Sequence, residues 1–339
     1  MQSIEKIIKN LVEYKDLSIT QSKELFNLMI DGKIDPNLIS CILTLFNYKG
    51  ESYEEIFGAI KVLKERSKKI ELSGDIIDTC GTGGDNKKSF NFSTATAILC
   101  SACGLKVAKH GNRAVTSKSG SMDILELLGI NINLSIEKQK IYFEDVGICF
   151  LNAPNFHSSL KSVAPIRKLL PFKTIFNLLG PLLNPSRLKY QLLGVGNKKY
   201  LDTHAKCLSK MNLKSSWVVH NMDGYDELTT TSPNIVVKVE KNKISNKIKI
   251  TPEQAGLKYT NEKDLRGGSP KENAFILHRL FDGETSAIRE NVLLNTSACL
   301  VMQKKVKNLK DGVLMASKFI DNFCAKKKLN EIISKSNKL

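Results

Sequence analysis

The sequence lacks the features of membrane-spanning, secreted and disulfide-bonded proteins. No stretch of its 339 residues approaches the roughly 18 apolar residues that a membrane span requires. Residues 1–10 contain no apolar core of a secretory signal and instead have the pattern of an amphipathic helix. The eight cysteines are scattered, and a chain of this length does not need a disulfide framework. These absences predict free thiols in a cytoplasmic protein with no membrane contact.

Negative charge is also scarce, because 34 acidic residues face 51 lysines and arginines and leave a formal net charge of +17. Such an excess can indicate a nucleic-acid-binding protein. The lysines occur only in short runs, however, and no aromatic residues are interleaved with them to stack on bases. The charge therefore favours solvated basic surfaces over nucleic acid, and a basic surface also attracts a small polyanionic substrate.

A glycine-rich segment is the main local signal. Residues 75–77 predict the end of a buried strand, and the sequences DTCGTGGD (78–85) and NFST (91–94) follow it. Ser93 is a candidate N-cap for an apolar helix at residues 95–102. A strand, a glycine loop and a helix N-terminus in this order are typical of phosphate binding, since free N–H groups and the helix dipole face the anion. The loop is neither a Walker sequence nor G-x-G-x-x-G, and alone it could be an ordinary turn.

A second loop strengthens this interpretation. The sequences KHGNRAVTS (109–117) and SGSMD (119–123) follow another predicted strand at residues 105–108. If the two strands are parallel neighbours, both loops lie at the carboxyl edge of one sheet. Open α/β sheets bind their ligands at that edge.

The first 70 residues predict helices only. Asp35 before Pro36 marks one helix start, and Ser52 with Glu55 forms a capping box at another. Four short helices with apolar faces need a partner, which is either the rest of the chain or a second copy.

From residue 75 onward, predicted strands alternate with helices of about ten residues or longer, which is typical of right-handed βαβ units. The sequence therefore predicts an α/β fold: a small all-helical N-terminal domain and a large domain with a mainly parallel central sheet flanked by helices. The candidate strands are residues 75–78, 105–109, 148–151, 191–195 and 217–220, with an antiparallel pair at 235–239 and 243–250. Further helices are predicted at residues 164–179, 271–281, 286–303 and 310–326.

The segments GTGGD, NFST, KHGNRAV, SGSMD, IFNLLGPLLNP and DEL, in this order, closely resemble those of the anthranilate phosphoribosyltransferase family. The resemblance extends from about residue 11 to the last helix. It implies a helical domain at residues 1–70, joined in space by about 164–185, and a domain at 71–339 that binds 5-phosphoribosyl diphosphate. It also implies a homodimer formed through the helical domain.

In this family the amine of anthranilate displaces diphosphate from C1 of 5-phosphoribosyl diphosphate, a step of tryptophan biosynthesis. The leaving group is a polyanion and the ribose becomes cation-like, so catalysis should rest on positioning and charge neutralisation. The resemblance implies Mg²⁺ as cofactor, two ions per subunit. No strong general base is needed, because an aromatic amine is already neutral at pH 7.

The resemblance assigns the binding of the phosphoribosyl donor, 5-phosphoribosyl diphosphate, to residues in and after both loops. They are Gly81, Gly84, Asp85, Ser89, Asn91, Phe92, Ser93, Thr94, Lys109, His110, Gly111, Asn112, Arg113, Ala114, Val115, Thr116, Ser117 and Ser121. It assigns no certain acid or base, and Lys109, Asp226 and Glu227 act by position and charge.

The same resemblance assigns anthranilate to Gly81, His110, Asn112 and Arg167. From the residues alone, His110 could be a loop side chain bonded to backbone, and no second His or Cys lies at zinc-ligand spacing. The Arg167 guanidinium suits a carboxylate, although it could also be a surface arginine. The chain departs from the family pattern nearby, at residues 170–174, where proline and lysine stand at 171 and 173.

Two acidic residues, Asp226 and Glu227, follow a predicted strand end and form with Asp223 a predicted tight cluster. Carboxylate oxygens suit Mg²⁺, and the alternative is a solvated acidic turn. The resemblance assigns the metal to Ser93, Asp226 and Glu227. Cys100 and Cys103 form a C-x-x-C without a second pair, so we predict that both are small core residues.

Two other functions remain open from the sequence. One is a pyrimidine nucleoside phosphorylase of the same fold, and the other is a basic nucleic-acid-binding relative without activity. Asn112 and Arg113 in the second loop, together with the acidic pair, favour the transferase.

Overall fold

The computed structural model of the protein describes residues 4–83, 87–113 and 119–339. The elements along the chain are α1 Ile4–Val12, α2 Ile19–Ile30, α3 Pro36–Lys49, α4 Tyr53–Arg66, β1 Ile76–Gly81, α5 Phe92–Ala102, β2 Lys106–Gly111, α6 Ser121–Leu127, α7 Ile136–Val146, β3 Ile148–Asn152, α8 Ala153–Phe156, α9 Ala164–Leu169, α10 Ile175–Leu179, β4 Tyr190–Gly194, α11 Leu201–Ser209, β5 Ser215–Asn221, β6 Asn234–Glu240, β7 Lys243–Ile244, β8 Ile248–Ile250, α12 Pro270–Phe281, α13 Ala287–Met302, α14 Leu309–Asp321 and α15 Cys324–Ser336. The chain forms two compact units, Met1–Lys69 with Ala153–Pro185 and Ile70–Asn152 with Ser186–Leu339.

The helical unit contains α1–α4 and α8–α10, and the four predicted N-terminal helices are confirmed. The capping box between Ser52 and Glu55 is present at the start of α4. The Glu55 carboxylate is fully buried, where it also accepts the Leu17 N–H at 3.0 Å and pairs with Lys49 Nζ at 3.0 Å. A buried charge needs such partners to be stable. Glu55 therefore fixes the packing of α3 and α4 as well as capping a helix.

The single helix predicted at residues 164–179 is wrong, because the structure contains α9 and α10 with a break between them. Pro171 explains the break. The residue before a proline avoids helical geometry, and Leu170 is extended, with φ −84° and ψ 125°.

The larger unit is built on one sheet, with the order β3-β2-β1-β4-β5-β6-β7, and β8 also pairs with β6. The neighbouring strands β3, β2, β1, β4 and β5 are parallel to one another. Strand β6 is antiparallel to β5, and β7 and β8 are antiparallel to β6, so the predicted mainly parallel sheet is confirmed. The chain first moves outward from β1 to β3 and then returns to place β4 on the other side of β1. Such a reversal of strand order opens a crevice at the carboxyl ends of β1 and β4.

Two predicted elements at the end of this unit differ from the structure. The strand predicted at residues 243–250 is two short strands, β7 and β8, which pair with different parts of β6. The helix predicted at 310–326 ends at Asp321, and α15, which the sequence reading missed, follows it. Phe323 separates the two helices with a left-handed φ of 57°. No pattern in the sequence predicted this conformation.

The core of the larger unit includes the packing of α5 against α13. Cys100 on α5 is 0% exposed and Cys103, the C-cap residue of that helix, is 6% exposed, which confirms that both are core residues. All eight cysteines are free thiols. Within the described residues, no helix combines the length and the apolar character that crossing a membrane would require.

Candidate active site

The site forms where the strand order reverses, at the paired ends of β1 and β4. Gly81 and Gly194 are register partners there. A Cβ at position 81 would lie 2.0 Å from Asp226 Oδ2, and a Cβ at position 194 would lie 1.5 Å from the Asp226 carbonyl oxygen. A Cβ at 194 would overlap the Asp226 backbone itself, whereas one at 81 would overlap mainly its carboxylate, so the two glycines leave room for the Asp226 segment at the strand ends. Sequence reading identified Gly81 but missed Gly194.

The acidic pair joins the glycine loop to the first turn of α5. Asp226 Oδ2 accepts the Gly83 N–H at 2.6 Å, and Glu227 Oε1 accepts the Ser93 N–H at 3.2 Å. Both carboxylates thus bind N–H groups of the kind that hold phosphate oxygens at a helix N-terminus. Asp226 is only 9% exposed, so the alternative of a solvated acidic turn does not describe it.

The N-cap predicted at Ser93 is wrong. Helix α5 begins at Phe92, the cap residue is Asn91, and Ser93 lies inside the first turn. The Asn91 side chain makes no capping bond either, because its Oδ1 accepts from Ser119 Oγ and Asn273 Nδ2 at 3.1 and 2.8 Å. The N–H groups of a first helical turn have no partner within the helix, and Glu227 supplies the one for Ser93.

Two of the predicted donor-binding residues turn their side chains inward. The Phe92 side chain is fully buried against Phe90, with ring centroids 5.5 Å apart, and Thr94 is fully buried as well. Of these two residues, only the backbone groups can therefore contact a donor at the start of α5. Ser89 forms an antiparallel bridge with Arg266, which anchors the end of the glycine loop.

Lys109 and His110 lie near the carboxyl end of strand β2, next to the end of β1. Lys109 is 1% exposed, and its Nζ donates to the Thr79 and His110 carbonyl oxygens at 2.7 and 3.3 Å. The His110 N–H donates to Asp78 Oδ1 at 3.3 Å. The side chains of Lys109 and Asp78 thus hold the carboxyl ends of the two strands together.

The remaining described residues of the second loop form their own contacts. The Arg113 guanidinium binds both carboxylate oxygens of Glu126 at 2.7 Å, and this pairing raises the pKa of Arg113 and lowers that of Glu126. The Asn112 carbonyl oxygen accepts Ser121 Oγ at 3.2 Å. A Cβ at Gly111 would lie 2.1 Å from Ser121 Oγ, so a larger residue at this position would displace the Ser121 hydroxyl from its bond to Asn112.

Comparisons with known proteins agree with this geometry. A model described as "Glycosyl transferase family, a/b domain" matches residues 73–326, and one described as "Glycosyl transferase family, helical bundle domain" matches 5–67. The anthranilate phosphoribosyltransferase of Thermoanaerobacter sp. (strain X514) is 44% identical over 337 residues, 99% of each chain. That of Acetivibrio thermocellus is 43% identical over 335 residues, 98% of this chain and 97% of the relative.

Two solved structures are similar over nearly the whole chain. The crystal structure of anthranilate phosphoribosyltransferase from Thermus thermophilus has a TM-score of 0.89 and 33% identity, and covers 97% of this chain and 99% of that one. The enzyme from Saccharomyces cerevisiae in complex with PRPP and Mg has a TM-score of 0.90 and 28% identity, and covers 99% and 98%. The chain belongs to the anthranilate phosphoribosyltransferase family.

Of the residues that the family resemblance assigns to anthranilate, Arg167 lies in the helical unit, on α9. Its guanidinium carbon is 5.0 Å from the centre of the Phe176 ring, and its buried Nε has no hydrogen-bond partner among the described residues. Burial lowers the pKa of Arg167. Arg167 is therefore a half-buried guanidinium stacked on a ring, and the alternative of a solvent-exposed surface arginine does not describe it.

Two other groups of predicted residues remain, the acidic cluster and the other residues of the two loops. The predicted cluster of Asp223 with the acidic pair is wrong, because no three His, Cys, Asp or Glu side chains of the described residues are grouped to hold a metal. Asp223 instead belongs to a turn, where its N–H donates to Asn221 Oδ1 at 3.0 Å. The family residues Gly84, Asp85, Ala114, Val115, Thr116 and Ser117 lie outside the described residues.

Sequence reading also missed polar residues that support the site from behind. Asn273 on α12 bonds to Asn91 and accepts the Gly268 N–H at 2.8 Å. Asn295 on α13 lines the same small cavity as Ser93, Asp226 and Glu227. The available signal was weak: a polar amide in an otherwise apolar stretch of helix.

Proposed function

We propose that the protein transfers the phosphoribosyl group of 5-phosphoribosyl diphosphate to the amine of anthranilate, giving N-(5-phosphoribosyl)anthranilate and diphosphate for tryptophan biosynthesis. It is an enzyme of the pentosyltransferase class, as its family membership shows. The observation that carries the proposal is the acidic pair, held between the Gly83 N–H of the glycine loop and the Ser93 N–H of α5. In this proposal the two carboxylates are oxygen ligands beside an anion site at the reversal point of the sheet.

We propose that Ser93, Asp226 and Glu227 hold Mg²⁺, with two ions per subunit. The residues fit this ion, since all three line one cavity and offer only oxygen atoms. Mg²⁺ is usually bound by one or two protein carboxylates together with substrate phosphates, which agrees with the absence of a third acidic residue among the described groups. The bound metal would neutralise charge on the departing diphosphate.

The chain's own residues bind and orient the donor in this proposal. Backbone N–H groups of the glycine loop and the α5 N-terminus receive phosphate oxygens. Lys109 stabilises the strand ends that carry both loops, because its ammonium group is bound to carbonyl oxygens of β1 and β2. Arg113 contributes positive charge once it exchanges its exposed pairing with Glu126 for the donor.

On the acceptor side, Arg167 faces the anthranilate carboxylate and Gly81, His110 and Asn112 border the ring. The unpaired Nε of Arg167 supports this, since a buried donor without a partner gains most from an incoming acceptor. The anthranilate amine attacks C1 of the ribose without prior loss of a proton to a strong base.

We also propose a cytoplasmic homodimer that associates through the helical domain of residues 1–70. The support is a set of exposed apolar side chains on the helical unit, which a monomer would leave in water. They are Val12, Tyr14, Leu38 and Tyr48.

The deciding experiment mixes the protein with anthranilate, 5-phosphoribosyl diphosphate and Mg²⁺ and follows the loss of anthranilate fluorescence. We expect loss that requires all three components and stops on chelation of Mg²⁺. A parallel reaction supplies uridine or thymidine with inorganic phosphate. Phosphorolysis without any consumption of anthranilate would refute the proposal and favour the phosphorylase.

A further inference from the structure

The segment directly after the acidic pair has an unusual source of hydrogen bonds. Leu228, Thr229 and Thr230 are all fully buried, yet they belong to no helix or strand. Buried backbone groups need partners, and in loops these are commonly other backbone groups or water. Here the N–H of each of the three residues donates to the side chain of an asparagine.

Each asparagine holds one of these residues through two bonds. Asn295 Oδ1 accepts the Leu228 N–H at 3.2 Å, while its Nδ2 donates to the Leu228 carbonyl at 2.7 Å. Asn234 makes the same pair with Thr229, at 2.9 Å for both bonds.

The third asparagine completes the set. Asn291 Oδ1 accepts the Thr230 N–H at 2.8 Å, and its Nδ2 donates to Thr230 Oγ1 at 3.0 Å. We call Asn234, Asn291 and Asn295 the asparagine clamp. It comes from two separate elements, since Asn234 begins β6 and the other two lie on α13.

Each asparagine of the clamp is bonded through both its amide oxygen and its amide nitrogen. Asn291 and Asn295 stand four residues apart, so they share one face of a helix whose other members are nearly all buried. Asparagine is a poor residue for a helix interior, and a buried amide destabilises a protein unless all its groups are bonded. An apolar residue at any of these positions would leave a buried N–H of the clamped segment without its partner, so the clamp holds this segment in its observed conformation.

We infer that the asparagine clamp consists of positioning residues, which fix the direction in which Asp226 and Glu227 present their carboxylates to the metal and donor. This inference rests on the proposed metal site. Glu227 precedes Leu228 directly, so a clamped Leu228 backbone leaves the glutamate little freedom. Preorganisation of this kind matters because displacements of about 1 Å reduce rates by about 100-fold.

The test compares Asn295→Ala with Ser297→Ala. Ser297 is a matched control, because it lies on the same helix, is fully buried and bonds through its side chain to a backbone carbonyl, that of Leu309, which belongs to the start of α14. Both variants lose a buried hydrogen bond. Only Asn295→Ala releases the segment behind Glu227.

Three measurements apply to both full-length variants. Hydrogen exchange of the peptide covering residues 226–231 should become at least tenfold faster in Asn295→Ala. Mn²⁺ binding in the presence of 5-phosphoribosyl diphosphate, followed by electron paramagnetic resonance, should weaken at least fivefold. The value of kcat/KM for the donor should fall at least tenfold, with the KM for anthranilate within twofold of the original. Ser297→Ala should change none of these.

A coupled substitution separates positioning from general damage. If Asn295 acts through the acidic pair, then adding Asn295→Ala to the combined variant Asp226→Asn and Glu227→Gln should reduce kcat/KM by less than twofold further. A full tenfold further loss would overturn the inference, as would equal effects of Ser297→Ala. Should Asn295→Ala not fold, Asn291→Ser gives the same three measurements on the other α13 member of the clamp.

The metal site and the clamp fail in different ways. Unchanged Mn²⁺ affinity in Glu227→Gln overturns the metal site and the clamp inference with it. Weakened Mn²⁺ binding in Glu227→Gln with unchanged binding in Asn295→Ala overturns the clamp inference alone.

Discussion

Replacing Gly194 with alanine should disable the enzyme without unfolding it. The added Cβ would meet the Asp226 carbonyl oxygen at 1.5 Å and the Asp226 carbonyl carbon at 2.3 Å. These are backbone atoms, so no side-chain rotation relieves the overlap. Restoring an ordinary separation of about 3.5 Å requires the Asp226 backbone to move by roughly 2 Å.

A movement of that size exceeds the displacement of about 1 Å that costs about 100-fold in rate. We therefore expect kcat/KM to fall by at least 100-fold, about 2.7 kcal/mol of transition-state stabilisation. The dependence on Mg²⁺ should also shift to higher concentration, because the carboxylate of Asp226 moves with its backbone.

Gly81→Ala gives a graded comparison. Its Cβ would meet Asp226 Oδ2 at 2.0 Å, an atom at the far end of a side chain that can rotate away. This rotation breaks the bond to the Gly83 N–H. The Asp226 carbonyl oxygen, 3.0 Å from the added Cβ, has to move by only a few tenths of an ångström. We therefore expect the same shift in Mg²⁺ dependence with a smaller loss of thermal stability than in Gly194→Ala.

The assay is loss of anthranilate fluorescence at several Mg²⁺ concentrations, with circular dichroism to confirm folding. Gly32→Ala serves as a control, since that glycine has a φ of +68° with no atom near its missing Cβ and lies in the helical unit. It should lose stability and keep its activity. A folded Gly194→Ala enzyme with the original kcat/KM and Mg²⁺ response would refute the reasoning.

Three further changes test other parts of the site and the fold. Asp226→Asn combined with Glu227→Gln keeps both shapes and removes both charges, so kcat/KM should fall at least 100-fold, about 2.7 kcal/mol, while the ligand-free Tm stays level or rises; unaltered Mg²⁺-dependent turnover would remove the pair from the mechanism. Arg167→Ala should raise the KM for anthranilate and leave that for the donor nearly unchanged, with Arg167→Lys restoring only part of the affinity because the paired donors are lost; equal effects on both substrates would contradict a carboxylate contact. Burial lowers the pKa of His157 from its ordinary value of 6.5, so the unfolded chain binds a proton more readily than the folded one, and the free energy of unfolding should fall as the pH drops through about 6.5. In denaturant titrations at several pH values, His157→Gln should make the free energy of unfolding less dependent on pH. An unchanged pH dependence would assign the effect to other groups.

Local signals predicted the architecture because each strand and helix carries its own pattern. The alternation of short apolar strands with helices was enough for a mainly parallel sheet. The glycine loop after β1 and the Lys109 loop after β2 were correctly expected at neighbouring strand ends, since parallel neighbours align their carboxyl ends.

The errors arose where a distant contact overrides a local preference. Ser93 has the residue type of an N-cap, but the cap position lies two residues earlier, at Asn91, and a carboxylate from Glu227, 134 residues away, accepts the Ser93 N–H. Gly194 and the asparagine clamp were missed for the same reason. Their role depends on a segment that is far away in sequence, and no periodicity reports it.

The charged groups of the site show why the ligand-free protein is stable with so many of them close together. Lys109 is bound to carbonyl oxygens, Arg113 to Glu126, and the two acidic side chains to N–H groups of Gly83 and Ser93. The carboxylates thereby occupy N–H groups of the type that bind phosphate. In the proposed site, the N–H groups of Gly83 and Ser93 would receive phosphate oxygens of the donor, and the freed carboxylates of Asp226 and Glu227 would hold the divalent cation that neutralises them. An anion without a cation would leave two carboxylates facing it, so donor binding and metal binding should be strongly coupled.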